Sequence, residues 1–169
     1  ALGNIAFTPA LPAAVQDAVK LGQAALGTKV WIKAKGPLEP FVAFGKADWE
    51  LNFFQADVET PDGDRLIIAF GPDQSKIDPL DKDAVAAVLH RLRPDIEVVD
   101  VQAHDWVNDE FAQQTWSMHK PGFLSKSLAA IQKTDGKLIH AGTDFANGWS
   151  AFIDGAIETG LTSARTILG

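Results

Sequence analysis

The sequence contains no cysteine and no tyrosine. Without cysteine there is no disulfide, no zinc–thiolate centre, no thiol nucleophile and no cofactor tethered through sulfur in this chain. Without tyrosine, any aromatic wall is built from the 5 Trp and 10 Phe and carries no phenol hydroxyl. Basic charge is also scarce: 15 Lys and Arg face 22 Asp and Glu, a formal net charge of −7. That argues against nucleic acid and anionic membrane as partners, because both select basic faces. No apolar run approaches the ~20 residues of a membrane span; the sequence does not name the compartment, and a soluble, cytoplasmic protein is favoured. There is no Walker loop, no G-x-G-x-x-G, no G-x-S-x-G and no H-E-x-x-H. His90, His104, His119 and His140 lack helical metal spacing and read as structural or solvated, so no metal site is expected.

What is present is a globular chain. Its 169 residues are 46% hydrophobic and 22% charged, and at this length roughly 70% of the unfolded surface can be buried. Pro9 and Pro12 open a predicted helix through about Leu26, stopped by Gly27. Thr28 to Ala34 alternates, with Val30 and Ile32 on one face and Lys29, Trp31 and Lys33 on the other, which predicts a strand. Leu51 to Val58 and Arg65 to Phe70 read as strands joined by a turn at Pro61-Asp62-Gly63-Asp64. Asp81 or Asp83 caps a helix carrying Val85, Val88, Leu89 and Leu92, ended by Pro94. Ile96 to His104 is a further strand, Asp105 to Gly122 an irregular aromatic segment, and Leu124 to Gln132 a short helix. Lys137 to Ala141 reads as a strand and Trp149 to Leu168 as the final helix. The fold class expected is α+β: a mixed β-sheet with packed helices, ending in a strand–loop–helix. Ala1-Leu2-Gly3 has no initiator Met and no signal-peptide character, so the expectation is a removed upstream piece or a fragment of a longer protein.

Three places could carry chemistry. Leu138 to Trp149 runs from strand through a small-residue loop into a helix, where Phe152, Ile153, Ala156, Ile157, Gly160 and Leu161 form an apolar face. The helix start offers free backbone N–H groups and the positive dipole end, which suit a phosphate or an electron-rich carbonyl. The same spacing also suits a plain core helix with glycine for packing. Trp106, Phe111 and Trp116 lie in an irregular segment, where aromatics either line a pocket or pin a loop to the core. Lys29, inside an apolar strand, either snorkels to the surface or, if buried, holds a water or shifts its pKa.

Ala141-Gly142-Thr143-Asp144, followed by Trp149 to Gly160 (Trp149-Ser150-Ala151-Phe152-Ile153-Asp154-Gly155), resembles the C-terminal flavin-contacting motif of the flavin-dependent amine oxidases. Upstream, Ile5 to Pro12, Gly27-Thr28-Lys29-Val30, Asp105-Trp106 and Thr115-Trp116 are similar to further family segments in the same order. The resemblance implies three regions: 1-27 as a connection and helix near the cofactor domain, 28-122 as the substrate-binding domain, and 123-169 as the strand–loop–helix that completes an FAD-binding domain. It implies that Gly142, Thr143 and Asp144 lie along the ribityl and pyrophosphate part of FAD. It also implies that Ile153 offers its backbone N–H to the pyrimidine end of the ring system, that Lys29 holds a water at flavin N5, and that Trp106 and Phe111 pack close to the rings. Trp116 and Phe152 match the two aromatic positions that sandwich the substrate amine. Those positions are commonly Tyr in monoamine oxidases, so substrate shape differs here. Thr115 stands where some members attach flavin through Cys, so FAD is expected to be non-covalent.

The activity implied is oxidation of a neutral amine to an imine, with dioxygen reduced to hydrogen peroxide. Because the chain lacks G-x-G-x-x-G, the resemblance also implies a second polypeptide carrying that dinucleotide-binding unit, after proteolytic cleavage, in a higher oligomer. Two other readings stand beside it. An L-amino-acid oxidase would need an Arg for the substrate carboxylate, and Arg65, Arg91, Arg93 and Arg165 lie outside the pocket segments. A non-catalytic assembly or binding subunit would hold no flavin.

Overall fold

Alternation of apolar and polar side chains in Thr28–Ala34 makes the first strand, β1, an inner strand of a sheet. A computed structural model of the chain describes residues 2–133 and 136–169. It divides into two compact units, one of residues 26–115 and one of 2–25 with 116–169.

In the first unit, β1 is joined by β2 (Phe41–Phe44), β3 (Phe53–Glu59), β4 (Arg65–Gly71) and β5 (Val98–Ala103). The strand order is β2-β3-β4-β1-β5, and every pairing is antiparallel. The expected sheet is therefore present but antiparallel throughout, not mixed. β2 had no counterpart in the sequence reading. It holds four residues between Pro40 and Gly45, too few for a clear alternation.

The β3–β4 turn forms where the Pro-Asp-Gly-Asp segment predicts it. Gly63 takes φ +81°, and the Thr60 amide donates to the Asp64 carbonyl at 2.8 Å. Asp64 is buried at this tip, accepting from the Gly36 amide at 2.8 Å and pairing with Lys33 at 3.3 Å. One helix, α2 (Lys82–Leu89), covers one face of the sheet. The Asp81 carboxylate caps it, accepting from the amides of Asp83 and Ala84 at 3.0 Å, a contribution of about 1 kcal/mol. The helix ends at His90, ahead of the predicted stop at Pro94, where the ring Nε2 lies 2.8 Å from the Ile96 carbonyl. Val85, Val88 and Leu89 pack on Val30, Ile32, Phe54, Ile67 and Val101. Phe54 is fully buried, and its truncation to Ala should cost about 3–5 kcal/mol.

In the second unit, α1 is Ala13–Leu21. It stops at Gly22, not Gly27, because Gly22 adopts φ +69° and the chain beyond it runs extended. The Ala24 amide donates to the Met118 carbonyl at 2.8 Å. The helix predicted over 124–132 is two single turns, α3 (Phe123–Lys126) and α4 (Leu128–Ile131), parted where Ser127 takes φ −118°. Val15, Ala18, Phe123 and Ile131 form the core of this unit.

The predicted strand Lys137 to Ala141 is not a strand: only Leu138 makes a single bridge. The apolar pattern is there, but extended backbone becomes a strand only beside a hydrogen-bonded neighbour. The last helix, α5 (Ile153–Leu168), starts four residues later than the sequence predicts. Ala151 takes φ +70°, which an L-residue adopts at about 1 kcal/mol or more and which interrupts helical winding. None of the described helices is long and apolar enough to cross a membrane.

Candidate functional site

The sequence-predicted residues divide between the units. Lys29, Trp106 and Phe111 lie in the sheet unit; Trp116, Gly142, Thr143, Asp144, Phe152 and Ile153 lie in the helical unit.

In the helical unit, a tight turn over Thr143–Phe145 follows Gly142, whose φ of +140° is open to glycine alone. The Gly142 amide donates to the Thr159 hydroxyl at 3.0 Å. Thr159 is buried in α5, and its oxygen also lies 3.0 Å from the Gly155 carbonyl. The turn is thus fixed against the helix one and a half turns beyond its start. Gly155 closes the contact: a Cβ there would stand 2.2 Å from the Trp149 carbonyl oxygen and 2.8 Å from Ala146 Cβ. Gly160 differs, since a Cβ there meets nothing within 4 Å. The Thr143 hydroxyl reaches Asp144 Oδ1 at 3.1 Å.

α5 begins without a side-chain cap, at Phe152. The amides of Gly155 and Ala156 bond back to the Phe152 carbonyl. Those of Ile153 and Asp154 precede this ladder, as the first donors of any helix do. Phe152 is 59% exposed and Ile153 79% exposed. The Phe152 ring meets Trp149 edge to face at 5.9 Å. Farther along, Ile157 and Leu161 continue the exposed apolar stripe.

Trp116 and Phe152 come from segments far apart in sequence. The Ser150 hydroxyl lies 3.3 Å from the Ser117 hydroxyl, so the residue after Trp116 is tied to the turn that ends in Phe152. The sequence assigned neither serine a role, since a contact across 33 residues leaves no local pattern.

In the sheet unit, Lys29 points to the face opposite the core. Its Nζ lies 4.9 Å from the centroid of Trp31 and 6.0 Å from that of Phe70, and among the described residues no carboxylate forms an ion pair with it. Trp106 meets His104 edge to face at 4.4 Å, and Phe111 is largely exposed. Their loop is organised by two aspartates. Asp105 accepts from Asn108, and Asp109 accepts from the amides of Phe111 and Ala112 and contacts His104 Nε2 at 2.9 Å. Hydrogen bonds from Asn108 hold the Asp105 carboxyl below its ordinary range; the Ala112 amide, then His104, do the same for Asp109. Both act as loop anchors, and no paired acid and base emerges. His119 stacks on Phe123 and His140 on Phe145. No cluster of metal-ligating side chains occurs among the described residues.

A cavity of about 540 Å³ opens between Leu26, the 73–80 loop and Val107–Asn108, but its lining includes none of the predicted site residues, Trp106 of the neighbouring loop among them. Its carboxylates are already engaged, Asp73 by Ser75 and Asp105 by Asn108 and Gln74.

Three comparisons bear on this arrangement. Residues 1–168 match the family described as flavin containing amine oxidoreductase. The chain is 35% identical over 161 residues to a pseudooxynicotine dehydrogenase of Pseudomonas sp, covering 94% of this chain and 32% of the relative. It is 35% identical over 165 residues to a nicotine dehydrogenase of Pseudomonas putida (strain DSM 28022 / S16), covering 97% and 34%. It spans about a third of the length of these relatives. In fold it is similar to a putrescine oxidase solved with putrescine bound, with a TM-score of 0.80 at 21% identity, over 99% of this chain and 40% of that one. The uncapped helix start, the Thr159-anchored glycine turn and the sheet lysine thus belong to a chain of the flavin-containing amine oxidoreductase family.

Proposed function

We propose that this chain supplies the amine-binding wall and part of the flavin site of an enzyme that oxidises an amine to an imine. The observation that carries the reading is the start of α5. The amides of Ile153 and Asp154 have no side-chain cap, the Phe152 and Trp149 side chains next to them are exposed, and the glycine turn at Gly142 is tied to Thr159 of the same helix.

The residues present fit a flavin. The α5 start offers N–H donors and a positive dipole end to an electron-rich carbonyl of the pyrimidine ring. Thr115 Oγ1 is buried without a hydrogen-bond partner among the described residues, a polar atom left for a group the chain does not contain. Gly142, Thr143 and Asp144 would hold the ribityl and pyrophosphate part, Ile153 the pyrimidine end, and Trp106 and Phe111 would pack near the rings. With no cysteine, FAD is held without a thioether, and acid precipitation should release it to the supernatant. Bound flavin would supply the two-electron oxidation of the carbon–nitrogen bond.

The chain's own residues do the rest. Trp116 and Phe152 hold the amine between two rings, neither of which carries a hydroxyl. A neutral amine is required, because its lone pair must be free when the bond is oxidised. Lys29 holds a water as a hydrogen-bond donor, and its ammonium, flanked by Trp31 and Phe70, disfavours a cationic substrate. The imine then hydrolyses in water. Residues 28-122 would act as the substrate domain, 1-27 and 123-169 as its cofactor-side flanks, and a second polypeptide would carry the dinucleotide-binding unit.

An amino-acid substrate is disfavoured. Arg91 is bidentate to Glu50 and Arg93 to Asp95, which leaves these two guanidinium groups committed. Relatives named for nicotine and pseudooxynicotine support an amine with an aromatic ring. Dioxygen as acceptor, with hydrogen peroxide formed, completes the proposal. The test is a panel of aryl-bearing and aliphatic amines, assayed for aldehyde or ketone product and for peroxide, with an artificial electron acceptor in parallel. Carbonyl product from an amine supports the reading; a flavin-loaded enzyme that oxidises no amine with either acceptor overturns it.

A further inference from the structure

One amide side chain joins α4 to α5. Gln132 Nε2 donates to Asn147 Oδ1 at 3.0 Å, and Asn147 Nδ2 donates to Glu158 Oε1 at 3.3 Å. The Asn147 backbone amide donates to the same Glu158 oxygen at 3.1 Å. Asn147 thus ties the end of α4 to the second turn of α5, just ahead of Trp149 and Phe152. The residue after it is Gly148. Of Asn4, Asn52, Asn108 and Asn147, only Asn147 precedes a glycine. Asn147 and Gly148 are both exposed, and a Cβ on Gly148 would meet nothing within 4 Å. Among the described residues no backbone hydrogen bond engages the Gly148 amide.

A backbone nitrogen with no Cβ beside it closes on the preceding side-chain carbonyl at little steric cost. Gln132, donating to Oδ1, draws electrons from that carbonyl, and Glu158 accepts from the nitrogen that must leave. We infer that Asn147 is a site of spontaneous deamidation, and that its conversion loosens the turn before α5. The Gly148 nitrogen bonds to Asn147 Cγ, the Cγ–Nδ2 bond breaks, and Nδ2 leaves as ammonia with the proton of the Gly148 amide. Water then opens the succinimide ring. Addition at Cγ gives aspartate; addition at the backbone carbonyl gives isoaspartate, whose chain runs through Cγ. Nothing is oxidised or reduced. Aspartate sets a carboxylate oxygen against Glu158 where Nδ2 donated, and the two like charges repel. Isoaspartate lengthens the chain by one methylene ahead of Trp149. The effect on flavin rests on the amine-oxidising reading; the modification itself does not.

The experiment ages the flavin-loaded enzyme at mildly alkaline pH and maps its peptides by mass. Asn147 should convert to aspartate and isoaspartate at least about tenfold faster than Asn52 or Asn108, which precede larger residues. Gly148→Ala, which open space accepts, should slow the conversion to a similar degree and keep the flavin. Asn147→Asp should release flavin about fivefold more readily than the fresh enzyme, with added salt narrowing the gap. Glu158→Gln in the same chain should restore retention. Asn147 intact after ageing, or converting no faster than Asn52, overturns the site. Flavin held equally well by Asn147→Asp overturns the loosening of the turn, as does misfolding of Asn147→Asp that Glu158→Gln does not rescue. If the unsubstituted enzyme binds no flavin, the functional reading falls and the effect on flavin with it, while the mass map alone decides the modification.

Discussion

The Thr159 hydroxyl accepts the Gly142 amide hydrogen at 3.0 Å and lies 3.1 Å from the Gly142 carbonyl, and these contacts help fix the glycine turn on α5. Thr159→Val keeps the shape of the side chain and removes the acceptor. It leaves a half-buried amide unpaired at a cost of about 1–3 kcal/mol. Urea unfolding should show that loss, and bound flavin should wash out more easily. Thr159→Ser should recover most of both. Unchanged stability and flavin content in Thr159→Val would mean that the contact does not hold the turn.

Gly155 and Gly160 should respond in opposite directions to the same change. An added methyl at Gly155 meets the Trp149 carbonyl and must displace the turn that carries Phe152, at about 1–3 kcal/mol. At Gly160 it meets open space, and alanine gains about 1 kcal/mol of helix propensity. Thermal unfolding of the two variants checks the order, and a more damaging Gly160→Ala would reverse it.

Lys29→Met keeps an apolar stem of similar length and removes the ammonium. Its two ring contacts contribute about 0.5–1 kcal/mol each, so the thermal midpoint should fall little. Stopped-flow should instead show slower flavin reduction or reoxidation. A large stability loss with normal flavin kinetics would make this lysine structural.

The turn that ends β3 predicts a pH dependence. Asp62 is drawn from 3.8 down to about 2, first by the Lys33 ammonium and then by the Thr60 hydroxyl. Its folded value lies below its unfolded one, so its contribution is present above the ordinary carboxylate range. It is lost as pH falls from about 4 to about 2. Lys33, raised by the same partner and by Asp64, contributes below the ordinary lysine range and loses its contribution at high pH. The urea midpoints of wild type and Asp62→Asn should therefore converge between pH 4 and pH 2. A gap that stays constant there contradicts the assignment.

Much of this was legible in the sequence wherever the signal is local. Thr28–Ala34 alternates, Asp81 precedes its helix, and Pro61 to Asp64 carries turn chemistry; each forms its element as read. What could not be read depends on distant partners. Lys137 to Ala141 has the composition of a strand, yet only Leu138 of it makes a single bridge. Trp149 to Phe152 has helical spacing, yet Ala151 at φ +70° holds it as a turn. The opposition of Phe44, Phe53 and Phe70 on β2, β3 and β4 follows from register alone, and the Ser117–Ser150 contact from tertiary folding.

The central claim is that Trp116 and Phe152 hold an amine in front of flavin. Anaerobic rapid mixing of the flavin-loaded enzyme with an aryl-bearing amine tests it most directly, read as loss of flavin absorbance. The account predicts that the amine bleaches the unsubstituted enzyme. It predicts that Trp116→Ala and Phe152→Ala, with flavin retained, need more amine and bleach at least about tenfold more slowly at saturation. Bleaching by both variants at the unsubstituted rate and concentration dependence would contradict it.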